Sequence, residues 1–140
     1  MTNEEKDLLL KDLCARLAFG RVKCQVKVLS FNEEMEDYTE LLDDEIVFIE
    51  PDIYNVYLYY EGTDVDISDI KPYLRPMSSM TDEEKKEVKE YLSSMEGQLI
   101  GFSQRVIWVN DYCLSHYIDN RHLIEKGLAL EAPADMYKNE

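Results

Sequence analysis

The residues best equipped for chemistry lie late in this 140-residue chain. Cys113 and His116 are three positions apart and would share a face of a helix, with His122 shortly beyond. Three nitrogen and sulfur donors suit zinc, but the chain has only two His, so a fourth ligand would have to be an acid such as Asp119. Cys113 also belongs to an apolar stripe, where cysteine acts as a small buried hydrophobe. The same pair read as a Cys–His nucleophile lacks an oxyanion-type loop nearby. Asp64-Val65-Asp66-Ile67-Ser68-Asp69 opens like a calcium loop, with oxygens at alternate positions. It then fails, because the sixth position needs Gly and holds Asp69, and the twelfth needs Glu and holds Arg75. With five Gly in the chain, neither a phosphate-cradling loop nor a nucleophile elbow is present. The sequence therefore predicts no catalytic residue, no metal and no cofactor. A small metal-dependent or Cys/His enzyme stands as one alternative.

The stronger signal is electrostatic. Residues 1–29 carry six Lys/Arg and four Asp/Glu, and residues 70–140 carry nine and 12. Between Val28 and Ile70 there are 14 acids and no basic residue, so this stretch supplies nearly all of the net charge of -15. Same-face carboxylates on a strand sit about 6.6 Å apart and repel by roughly 0.6 kcal/mol per pair in water. Interspersed signs would serve solubility as well. Four of the ten Tyr fall in Tyr54 to Tyr60, and an acidic field beside phenol rings suits a steered contact with a basic protein partner. The candidate partner-binding residues are Glu33, Glu34, Glu36, Asp37, Asp43, Asp44, Asp52, Tyr57, Tyr59, Asp64 and Asp66. A nucleic-acid mimic that inhibits a DNA-binding protein is the second alternative. It needs acids on two adjacent strands or on the Asn32 to Asp44 loop, because phosphates on one DNA strand rise only about 3.4 Å each.

Composition excludes other roles. A pI near 4.4 leaves no basic footprint for direct nucleic-acid binding. The longest apolar run, Val56 to Tyr60, has five residues, against about 20 for a membrane span. The acidic N-terminus and short Leu8-Leu9-Leu10 run lack the n- and h-regions of a signal peptide. Cys14, Cys24 and Cys113 form no close pair and read as three buried small hydrophobes. A cytoplasmic location is expected.

Positioning these residues requires both helices and strands. Leu9, Leu10, Leu13 and Leu17 recur at helical spacing over residues 3–18, with Asn3 as cap and Gly20 as stop. From Val22 the period becomes two, with Val22, Cys24, Val26 and Val28 on one face and Arg21, Lys23, Gln25 and Lys27 on the other. Strands are predicted at Glu45 to Glu50, Ile53 to Tyr60 and Asp64 to Ser68, with a hairpin connection at Glu61-Gly62-Thr63. Pro72 and Pro76 bracket an irregular stretch, Lys71 to Met80. Thr81 and Glu84 spell a capping box for a helix reaching about Met95 and ending near Gly97. A last helix begins near Ser103, a helical turn spans Arg121 to Lys126, and Leu128-Ala129-Leu130 is extended.

The segments Ile70-Lys-Pro-Tyr-Leu-Arg-Pro-Met-Ser-Ser-Met-Thr-Asp-Glu-Glu-Lys-Lys-Glu87 and Leu123-Ile-Glu-Lys-Gly-Leu-Ala-Leu-Glu-Ala-Pro133, with Met136-Tyr137 and the opening Leu8 to Leu17, are similar to a family of short acidic proteins from gut Bacteroidales bacteria and their phages. The resemblance covers about half the chain and implies no assigned activity, cofactor or catalytic residue. Trp108-Val-Asn110 resembles a Trp-Leu-Asn motif of that family, but the stretch after it departs from the family's His-rich pattern. An accessory role in a phage or mobile element fits the resemblance.

The expected architecture is a single α+β domain over residues 1–140. It comprises an N-terminal helix, a small antiparallel sheet or bent SH3-like barrel of four or five strands, and two C-terminal helices packed on it. The expected function is a non-enzymatic acidic binding module.

Overall fold

The computed structural model describes residues 1–62, 64–94 and 102–137. Helix α1, Asn3–Leu17, starts at a reciprocal cap. Thr2 Oγ1 accepts the Glu5 N–H at 3.1 Å, and Glu5 Oε1 accepts the Thr2 N–H at 3.2 Å. The cap is thus Thr2 rather than Asn3, because only from Thr2 does the acid fall three residues on. Leu9 and Leu13 are buried on the inner face, and so are Asp12 and Arg16. Arg16 Nε donates to Asp12 Oδ2 at 2.6 Å and Arg16 Nη2 to the Ile118 carbonyl at 2.9 Å, while Arg121 Nε lies 3.3 Å from Asp12. Two buried charges are tolerated because each answers the other. The pair also ties α1 to the chain beyond the last helix.

Strands β1 (Val22–Phe31) and β2 (Asp37–Glu50) pair antiparallel from Val22 opposite Ile46 to Phe31 opposite Asp37. The expected loop at Asn32 to Asp44 is therefore mostly strand. Acids have low strand propensity, and pairing along all of β1 overrides it. Strands β3 (Asn55–Leu58), β4 (Asp64–Asp66), β5 (Ile70–Leu74) and β6 (Leu130–Glu131) complete a six-stranded sheet of order β4-β3-β2-β1-β5-β6. Only β5 and β6 run parallel. The sheet is open rather than a closed barrel, and it has more strands than the expected four or five.

Strand β5 lies where an irregular stretch was expected, and it contains Pro72. At the end of the β1–β2 hairpin the Asn32 N–H donates to the Glu36 carbonyl at 3.1 Å. By alternation, even-numbered residues of β1 turn their backbone groups toward β2 and odd-numbered ones toward β5. Pro72 stands opposite Cys24, whose backbone faces away, so no bond to β1 needs the missing N–H.

The core joins Leu9 and Leu13 of α1 to Val22, Cys24 and Val26 of β1, to Ile46 and Val56, and to Leu74 and Leu123. Cys24 and Cys113 are buried as expected, but Cys14 is exposed. Helix α2, Asp82–Ser94, has the Thr81–Glu84 capping box, with bonds of 3.1 and 2.9 Å. Its expected end near Gly97 lies outside the described residues. Helix α3 spans Phe102–Ser115. No described residue of α2 is fully buried, so this helix lies at the surface of the molecule. It is held by Tyr91 stacked on Trp108 of α3 at 3.8 Å, by Tyr112 donating to Glu87 at 2.8 Å and by Glu84 gripping Arg75.

Candidate functional site

Strand β5 pairs with β1 only over Cys24–Val26, and β3 pairs with β2 only over Ile46–Glu50. Among the described residues, the stretch from Lys27 to Phe31 and the stretch from Asp37 to Leu41 have no strand neighbour but each other. The hairpin thus leaves the sheet as a two-stranded arm. Asn32 folds its tip, since Asn32 Oδ1 accepts the N–H of Glu34 at 3.0 Å and of Glu36 at 2.8 Å. Met35 takes the left-handed conformation, φ 61°, to close the turn.

Residues opposite one another share a face. The inner face of β1 continues through Val28 and Ser30, opposite Glu40 and Tyr38. The solvent face carries Lys27 opposite Leu41, Leu29 opposite Thr39 and Phe31 opposite Asp37. Leu29, Phe31 and Leu41 are 64%, 57% and 60% exposed, an apolar strip in water. Phe48 and Val47 add to this face nearer the sheet, because a register shift between Ile46 and Phe48 turns both outward.

The predicted contact residues divide into two groups. Glu33, Glu34, Glu36 and Asp37 are all exposed at the arm tip, and among the described residues their carboxylates have no partner. Asp43 is exposed at the base of the arm and accepts the Tyr73 hydroxyl at 2.7 Å. Burial first, and this carboxylate second, push the Tyr73 phenol up to about 12. Asp52, Asp64 and Asp66 sit at the other end of the long strand β2 and on β4, on the order of 40 Å from the tip by strand length. Asp64 accepts the Asn55 amide, and Asp66 accepts Ser68 and lies 3.5 Å from Lys6. The Ser68 hydroxyl bond, foremost, holds the Asp66 carboxyl below its usual value. Tyr57 is half-buried with its hydroxyl on Glu50, and that bond raises its phenol. Tyr59 is exposed and lies under the Arg21 guanidinium at 4.0 Å.

Asp44 does not belong to the surface. It is 4% exposed, and its carboxylate accepts the N–H groups of Glu45 at 2.7 Å, Tyr60 at 2.8 Å and Glu61 at 2.9 Å. It faces inward opposite Cys24 and anchors the turn after β3. Burial, and then Asp44, push the Cys24 thiol up to about 12.

The other candidate chemistry is dispersed. Cys113 lines an apolar cavity of about 500 Å³ with Met77, Leu92, Val106 and Val109, and burial raises its thiol. His116 lines a different cleft, of about 480 Å³, with Arg75, Glu84 and Tyr137. His116 stacks on Tyr112 at 4.0 Å, and His122 is exposed beside Glu125. Among the described residues, no three His, Cys, Asp or Glu side chains converge as metal ligands. No helix among them is long and apolar enough to cross a membrane.

The exposed apolar strip was missed in the sequence. Its signal was present: the polar alternation Arg21, Lys23, Gln25, Lys27 runs on into Leu29 and Phe31. Comparison with known protein families, curated proteins and solved structures finds no match.

Proposed function

We propose that this protein is a non-enzymatic binding module that presents the acidic β1–β2 arm to a basic protein partner. The observation that carries this reading is the co-location on one arm of unpartnered carboxylates at Glu33, Glu34, Glu36 and Asp37 with exposed Leu29, Phe31 and Leu41. The charge steers a basic partner, and the apolar strip supplies area to bury once it arrives. Solubility alone accounts for the acids but not for the strip beside them. Mimicry of nucleic acid is less well supported, because the strand beside the acids of β2 offers Lys23 and Lys27 rather than a second row of carboxylates. The resemblance to short acidic phage-associated proteins suits an accessory protein that acts by contact.

The test is the quadruple variant Glu33→Gln, Glu34→Gln, Glu36→Gln, Asp37→Asn. These side chains hold nothing inside the molecule, so the fold is retained. Crosslinking in the native host should recover a basic protein with the wild type and lose it with the variant and with rising salt. Unchanged recovery from the variant refutes the proposal. Displacement of that partner by duplex DNA would favour mimicry.

A further inference from the structure

We infer that the partner docks as an added β-strand along the open Asp37–Asp43 edge of β2, through a segment that alternates basic and apolar residues. The inference rests on the proposed binding role and specifies its mode. In the β1–β2 ladder, even-numbered residues of β2 face β1, so Asp37, Thr39, Leu41 and Asp43 turn their backbone N–H and C=O groups outward. Just beyond this stretch, the Tyr59 N–H donates to the Glu45 carbonyl at 3.0 Å. The same edge is therefore already in use by β3, and a new strand would continue in line with it. An unpaired edge of this kind is a template for strand addition.

Side chains along the edge define the occupant. On the solvent face Leu41 lies between Thr39 and Asp43, with Asp37 further on. On the other face Glu40 lies between Tyr38 and Leu42. A strand laid here meets acids that call for Lys or Arg and apolar neighbours that call for aliphatic or aromatic residues. A second copy of this chain is a poor occupant, because Asp37, Glu40 and Asp43 would face like charge. The opposite edge, at Lys27 to Phe31, has no acid to receive a cation.

The test uses the full chain and a synthetic peptide, Gly-Lys-Val-Lys-Leu-Arg-Val-Lys-Gly, at physiological salt. A second peptide has the same sequence N-methylated at alternate amides, which removes the donors for one edge. Binding should slow hydrogen exchange at the outward amides of Thr39 and Leu41. N-methylation should weaken it about tenfold or more, a loss of about 1.4 kcal/mol. Leu41→Pro should weaken binding similarly while β1 amides stay protected, since the Leu41 N–H is not used by the hairpin. Asp37→Lys with Asp43→Lys provides a second variant that leaves the backbone intact, and it too should lose the peptide. Equal binding of both peptides overturns strand addition and leaves charge-led binding standing. Failure of the unmodified peptide to bind also overturns the inference, and the amide variant of the tip then judges the binding role separately.

Discussion

Leu41 lies directly across the β1–β2 ladder from Lys27, on the solvent face of the arm. A leucine already in water contributes little to folding, so its chemistry is available to a partner. Replacing Leu29 and Leu41 together by Thr should change unfolding free energy by less than about 1 kcal/mol. The urea midpoint measures this, and a loss well above that value would mean the strip is structural. The same double variant should reduce recovery of the crosslinked partner.

Asp43 and Asp44 are adjacent, yet they should respond oppositely to mutation. Asp44 satisfies three backbone N–H groups from a buried position, and Asp44→Ala strands those donors. The expected cost is about 3 kcal/mol, with less for Asp44→Asn, which keeps one acceptor. Asp43→Asn, on the exposed side, should cost under about 1 kcal/mol. Chemical denaturation of the three variants checks the order.

The Asp12–Arg16 pair is fully buried. Asp12→Ala leaves Arg16 charged and uncompensated, and should destabilise by about 3–5 kcal/mol. Asp12→Leu combined with Arg16→Met should recover much of that loss, because removing both charges also removes their desolvation cost. A double-mutant cycle by thermal unfolding tests the coupling.

Glu84 links stability to pH. Its bidentate contact with Arg75, at 2.9 and 2.5 Å, lowers its carboxyl from 4.5 to about 2. A depressed folded value means stability that is present above about pH 4.5 and lost as pH falls toward 2. The half-buried setting limits the amount to about 2 kcal/mol. In Glu84→Gln that part of the pH dependence should vanish. Parallel denaturation curves for the two proteins across this range would refute it.

Local patterns told most of what local forces decide. Leucine spacing marked α1, alternation from Val22 marked β1, and Thr81–Glu84 marked the start of α2. The α+β class followed from these, and counting alone located the charge between Val28 and Ile70. The helix and strand signals each depend on residues close together in the chain, and the charge count needs no structure at all.

Tertiary structure alone decided where that charge points. Pro72 reads as a breaker until Cys24 is its neighbour, and Asp44 reads as surface until Tyr60 and Glu61 turn back onto it. Asp12 and Arg16 are enclosed by Ile118 and Arg121, more than 100 residues further along the chain. The arm exists because β3 and β5 are shorter than the hairpin they flank. Those lengths are set by pairing between segments far apart in the chain, and pairing fixes which face each side chain takes. Composition made the protein acidic; strand register placed its acids beside Leu29, Phe31 and Leu41.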